Sequence, residues 1–178
     1  KARKFLYQEP KAAHQILDMI TESTITYLKK QIKAGADMVQ IFDSWAGILG
    51  PEQYQEFSLD YIEKITSEID EVPVTVVAKG AWFALKEMDN LSCQTIGLDW
   101  NTDPQEARFM LSSKTLQGNL DPCVLYSDPE TIQSETRKML EKFGEHPHIA
   151  NLGHGVYPDT DPEHVKIFIE SVKKYSLA

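Results

Sequence analysis

Glycine and proline are scarce, nine of each in 178 residues, which excludes a collagen-like or low-complexity chain. Only two cysteines occur, Cys93 and Cys123, with no C-x-x-C pair. Two cysteines in a chain of this size do not make a disulfide framework. They read as reduced thiols in the cytoplasm, and neither has the clustered His or Cys partners that a zinc site needs. No apolar run approaches the roughly 18 residues needed to cross a bilayer. No charged-then-apolar start with a small-residue cleavage site is visible, so no signal peptide is expected. Cations are also few: 18 Lys and Arg face 27 Asp and Glu, for a net charge of -9. Phosphate-backbone binding wants the opposite sign, so nucleic acid is not expected as a partner, and without a spanning run neither is a membrane. Arginine is the rarest cation. Arg3, Arg108 and Arg137 stand against 15 lysines. Forked recognition of carboxylates favours Arg, so a strongly anionic ligand finds few natural partners in this stretch alone.

What remains is ordinary globular material, 42% hydrophobic and 25% charged, long enough for one domain over residues 1–178 with its own core. Short apolar runs alternate with amphipathic stretches. Strands are expected at Met38 to Asp43, Val74 to Lys79, Thr95 to Trp100, Thr115 to Leu120 and His148 to Gly153, each short, most rich in β-branched residues. Helices are expected at Pro10 to Lys33, Pro51 to Ile69, Glu130 to Phe143 and Glu163 to Tyr175, with shorter ones at Phe83 to Leu91 and Gln105 to Leu111. Their apolar positions follow a 3.6-residue period. Three helix starts share one grammar, at Asp103-Pro104, Asp128-Pro129 and Asp161-Pro162. Aspartate caps free N–H groups and proline takes the first helical position.

Alternating strands and helices argue for parallel βαβ units. The first strand is not followed by G-x-G-x-x-G or a P-loop, which weakens a nucleotide-binding sheet. Polar residues gather instead at the carboxyl ends of strands: Asp43-Ser44, Lys79, Asp99-Trp100, Asn119 to Asp121, and His154. A (β/α)8 barrel builds its active site there. Five strands do not close such a barrel, and about 250 residues are usual. The fold class expected is therefore α/β, the last five units of a TIM-type barrel, incomplete in this chain.

Ser44 lies in FDSWAG, which is not the G-x-S-x-G of a nucleophile elbow; a hydroxyl donor to a ligand suits it better than a nucleophile. His154, between Gly153 and Gly155, can donate to a carboxylate or move a proton near neutral pH. Lys79 suits a structural ion pair or an anion contact as well as a Schiff base. Asp43, Asp99 and Asp121 suit turn and rim hydrogen bonding as well as acid/base or metal chemistry.

FDSWAG, the KG of VAKGAWFAL, GLDW, LQGNLDPCVLY and NLGHGVYPDTDPEHV occur in that order along the whole chain. Together they resemble the uroporphyrinogen decarboxylase family. The resemblance implies a distorted (β/α) barrel that forms a cytoplasmic homodimer. It implies conversion of uroporphyrinogen III to coproporphyrinogen III, by removal of four acetate carboxyl groups, in haem and porphyrin biosynthesis. It implies no metal and no cofactor: a pyrrole carbon is protonated, CO2 leaves, and the pyrrole nitrogen is the electron sink. By motif, Ser44 and His154 match the substrate-binding serine and histidine, and no catalytic residue is carried over.

The family is roughly twice this length. Its arginine-rich R-Q-A-G-R loop, its pyrrole-binding aspartate and its substrate tyrosine are not found here. The chain therefore reads as the C-terminal half, inactive alone, with the missing arginines accounting for the shortage of cations. Two other readings compete. One is a cobalamin-dependent methyltransferase of the same superfamily, whose His-x-Cys zinc pair is not present. The other is a non-catalytic fragment that binds tetrapyrrole or associates with itself.

Overall fold

Helices and strands alternate through a computed structural model that describes residues 1–176. The chain divides into two compact units, Lys1–Thr95 and Ile96–Ala178. Five strands hydrogen-bond in chain order, β1-β2-β3-β4-β5. Neighbouring parallel strands need a crossover, and helices supply it.

The first unit opens with α1 (Ala2–Gln8) and α2 (Pro10–Lys33). Proline occupies the first turn of α2, and Lys30 and Lys33 sit in its last turn, where cations suit the helix dipole. Strand β1 (Val39–Asp43) pairs in parallel with β2 (Val74–Ala78), from Val39 opposite Val74 to Asp43 opposite Ala78. Val74 and Val76 on one face of β2 and Thr75 on the other are fully buried, as expected of a parallel strand covered on both faces. Between these strands the expected Pro51–Ile69 helix keeps its apolar period. Tyr54, Phe57, Tyr61, Ile62, Ile65 and Ile69 are all buried. Its backbone, however, is not uniform. Helix α3 (Pro51–Tyr54) passes through a wider π-type turn at Gln55–Leu59 into α4 (Asp60–Thr66). Such turns often accompany functional sites, and this one holds Ser58, whose role follows below. After β2, the expected Phe83–Leu91 helix is a 3-10 turn at Trp82–Ala84 and one α turn, α5 (Leu85–Met88).

Strand β3 (Thr95–Gly97) stops earlier than its sequence suggests. Leu98 N–H still donates to Gln117 O at 2.8 Å. Asp99 then folds the chain into a turn, its carboxylate accepting from Asn101 N–H at 3.1 Å and Thr102 Oγ1 at 3.0 Å. The second unit continues with α6 (Pro104–Met110), β4 (Thr115–Leu120), α7 (Pro129–Phe143), β5 (His148–Leu152) and α8 (Pro162–Ser176). β4 and β5 run parallel, from Leu116 opposite His148 to Leu120 opposite Leu152. Leu116, Leu125, Ile132, Leu140 and Phe143 form the core here.

The Asp-Pro starts behave as the sequence suggests. Asp103 accepts from Gln105 N–H at 2.8 Å, Asp128 from Thr131 N–H at 3.0 Å and Asp161 from Glu163 N–H at 2.9 Å. Asp121 does the same for a 3-10 turn at Pro122–Tyr126, accepting from Cys123 N–H at 2.8 Å.

Coverage is uneven. The expected apolar stripe of α2 is only partly buried. Ala13 and Leu28 are covered, while Tyr27 is 61% exposed, Ile20 53% and Ile16 48%; Met19, outside that stripe, is 70% exposed. On β1, Phe42 is 68% exposed. No described helix is long and apolar enough to cross a membrane.

Candidate functional site

In the first unit, backbone contacts hold the loop that follows β1. Lys79 N–H donates to Asp43 O at 3.0 Å, and Gly47 N–H donates to Lys79 O at 2.9 Å. A methyl group on Gly47 would stand 2.8 Å from Gly80 O. Gly80 itself adopts φ of +76, a region glycine enters without steric penalty. The glycines of FDSWAG and of the KG turn thus let two strand-end loops touch backbone to backbone. Ser44 emerges from this clamp exposed, with no hydrogen bond to another described residue.

The Asp43 carboxylate is not open to the same degree. Ser58 Oγ donates to it at 2.5 Å. Tyr54 lies fully buried nearby, its hydroxyl without a well-formed hydrogen bond. Burial first, and the Asp43 charge second, push that phenol well above its usual pKa, while Ser58 works the other way. Tyr54 therefore stays a neutral phenol. Sequence reasoning missed both residues. They lie on a helical segment that returns to the strand end, and no local spacing announces that return.

In the second unit, the loop after β5 is anchored by Gly153. Its N–H donates to Leu120 O at 2.7 Å. A methyl group there would overlap Trp100 N and stand 3.0 Å from Trp100 Cα. Next along the chain, His154 is exposed. Its ring lies 6.2 Å from the Trp100 ring, tilted by 43°, and it forms no hydrogen bond with another described residue. An imidazole free at both nitrogens and backed by an indole can meet an acid group as donor or acceptor. Trp100 was visible in GLDW as a motif residue but not as a neighbour of His154. Asn119 of LQGNLDP fixes the turn beneath them, its Nδ2 donating to Asp99 O at 2.9 Å and Thr102 O at 2.7 Å.

Asp99 and Asp121 are thus engaged in turn and cap hydrogen bonds. Among the described residues, no group of three His, Cys, Asp or Glu is placed to hold a metal. Two tyrosines add an aromatic wall in this unit, the Tyr126 and Tyr157 rings lying 6.1 Å apart. Tyr126 donates to Asp159, which raises the Tyr126 pKa. Three other histidines are structural, and His146 is exposed. His14 stacks on Phe57 at 4.8 Å, and His164 bonds Leu125 O at 2.7 Å. His148 lies 3.6 Å from the Phe143 ring and bonds Gly118 O at 2.7 Å. Burial is the main cause of its lowered pKa, with Arg108 adding to it and the Gly118 carbonyl opposing it.

The arginines are placed elsewhere. Arg3 lies on α1 and Arg137 on α7. Arg108 spends its guanidinium on backbone carbonyls, those of Lys114 at 2.7 Å and Pro147 at 3.2 Å. None of the three lies in a strand-end loop.

A family model described as "Uroporphyrinogen decarboxylase (URO-D)" matches residues 1–175. Among curated relatives, a protein named uroporphyrinogen decarboxylase from Christiangramia forsetii is 45% identical over 98% of this chain and 52% of its own length. The Homo sapiens protein of that name is 43% identical over 99% of this chain and 51% of its own. That of Flavobacterium johnsoniae is 46% identical over 98% and 52%. A solved structure titled as a methyltransferase from Methanosarcina mazei superposes with a TM-score of 0.88 at 21% identity, covering 98% of this chain and 52% of that one. At that identity it speaks for the fold alone. The chain spans about half the length of the curated relatives it matches.

Proposed function

The chain belongs to the uroporphyrinogen decarboxylase family, and from that premise we propose that it is the C-terminal half of a uroporphyrinogen decarboxylase. In this reading Ser44 and His154 bind the acid side chains of uroporphyrinogen III. The observation that carries it is the match along the whole chain to relatives of that name at 43–46% identity. The geometry supports it locally, because each residue stands exposed on a glycine-anchored loop with its polar atoms uncommitted.

The chemistry asks little of these two residues beyond binding. Protonation of a pyrrole carbon makes the ring electron-poor. The C–C bond to one acetate carboxylate then breaks, its electron pair flows into the ring, and CO2 departs. The exocyclic carbon takes a proton and becomes a methyl group, and the ring gives back the proton it gained. Holding the acetate in line with the ring favours this step by orientation. Ser44 can donate one hydrogen bond to a carboxylate, and His154 one when neutral or two when protonated. The acid that protonates the pyrrole, and the cations that offset eight carboxylates, belong to the remainder of the fold. The chain alone is therefore inactive. The complete enzyme works as a cytoplasmic homodimer, without nucleic acid or membrane partners; the charge of -9 agrees with the last point.

Titration of the purified chain with uroporphyrin, the oxidised and stable octacarboxylate, tests the binding role by fluorescence quenching. Saturable binding is expected, weakened about tenfold in His154→Ala, the value of one charge-assisted contact. Ser44→Ala should weaken it less. Binding unchanged in both variants would remove Ser44 and His154 from the site.

A further inference from the structure

The first unit holds a polar contact that the binding role of Ser44 does not account for. Ser58 Oγ donates to Asp43 Oδ2 at 2.5 Å, across 15 positions of chain. Ser58 sits in the π-type turn at Gln55–Leu59, a widened turn of the kind that collects at functional sites. Its neighbours Phe57 and Leu59 are buried, and so is Tyr54, one turn earlier. Packing on both sides therefore fixes where the Ser58 hydroxyl points. Asp43 is half-buried, and a carboxylate drawn out of water needs such a donor. The Tyr54 hydroxyl close by forms no well-formed hydrogen bond, so it does not take the place of Ser58 as that donor.

We propose that Ser58 is a positioning residue for Ser44. The end of β1 is held at two points. The Asp43 carbonyl accepts from Lys79 N–H at 3.0 Å, and the Asp43 carboxylate accepts from Ser58. Backbone and side chain of Asp43 are then both fixed, and with them the direction in which the chain leaves the strand. Ser44 is the next residue, and it is exposed. A donor that must meet a ligand acid within about 0.5 Å of its best geometry needs support of this kind from the residues behind it. The inference rests on the reading of Ser44 as a binding residue for the substrate's acid groups. It gives Ser58 no contact with substrate.

A double-mutant cycle in uroporphyrin binding tests it, with amide exchange measured by NMR beside it. Ser58→Ala should weaken binding about threefold, within the range of one neutral hydrogen bond. In a Ser44→Ala background the same change should have no effect, because nothing is left to position. In a His154→Ala background it should keep its threefold loss. Ser67→Ala, which removes an exposed hydroxyl bonded to Lys64 O at the end of α4, should leave affinity unchanged. Exchange of the Gly47 amide, bonded to Lys79 O, should rise at least about threefold in Ser58→Ala, while that of the Gly153 amide stays as it is. Parent affinity in Ser58→Ala while Ser44→Ala binds more weakly would overturn the proposal. So would a threefold loss that persists without Ser44, or an unchanged Gly47 amide. Parent affinity in Ser44→Ala is a different failure: it removes the binding reading, and the Gly47 amide then decides whether Ser58 orders the loop.

Discussion

Helix α7 buries its apolar stripe and helix α2 does not, although both carry proline at the first turn and apolar residues at three- and four-residue spacing. Ile132, Met139, Leu140 and Phe143 of α7 are all buried in the second unit. On α2, Ala13 and Leu28 are covered while Met19, Ile20 and Tyr27 face outward. Full burial of such a side chain is worth about 1.5–3 kcal/mol, so α2 holds back stabilisation that α7 has already realised. The difference teaches that periodicity reports a face to be covered. It does not report how much of that face is covered.

The largest expected effect tests this directly. Ile132→Ala should cost about 2–5 kcal/mol, as lost transfer and cavity energy add. Ile20→Ala on α2 should stay within about 0.5 kcal/mol, as surface changes do. Urea unfolding of both variants checks it; equal losses would break the contrast.

The same contrast recurs inside the His154 loop. Gly153→Ala places a methyl group against Trp100 and should cost about 1–3 kcal/mol through overpacking, and it should weaken uroporphyrin binding by displacing His154. Nothing lies within 4 Å of a methyl group added at Gly155, so Gly155→Ala should leave the unfolding midpoint where it is. Smaller effects sharpen the helix comparison at the N-termini. Asp128 caps α7, while Glu9 makes no side-chain cap on α2. Asp128→Ala should lower the urea midpoint and Glu9→Ala should not.

The smallest effect is a pH dependence tied to the end of α7, where His148 stacks on Phe143. Its imidazole is held below 6.5 in the folded chain, chiefly by burial. The unfolded chain then binds the proton more readily, so stability is full above about pH 6.5 and falls as pH drops toward the folded value. Urea midpoints from pH 8 to 5.5 should decline in the parent and decline less in His148→Gln. Asp128, lowered by the Thr131 N–H and hydroxyl, contributes only in a separate window below about pH 4. Asp103 shares that window: burial raises it, but Lys142 and the N–H groups of Gln105 and Glu106 outweigh burial.

Much of the architecture was legible because it is locally encoded. The bounds of α2 and β4, and all three Asp-Pro starts, follow from caps and periods that a few neighbouring residues carry. The π-type turn at Gln55–Leu59 was not legible, nor was the approach of Ser58 and Tyr54 to Asp43, since both depend on how a helix returns to its strand. Ser44 and His154 stand at strand ends as the motifs suggest. The pairing of His154 with Trp100 needed the fold, because 54 positions of chain separate them.

The most direct test of the account is a uroporphyrinogen conversion assay on the chain by itself, with the full-length Christiangramia forsetii relative assayed beside it as the control. The account predicts no coproporphyrinogen from the chain alone under conditions in which the control forms it. Turnover by the 178-residue chain alone would contradict it.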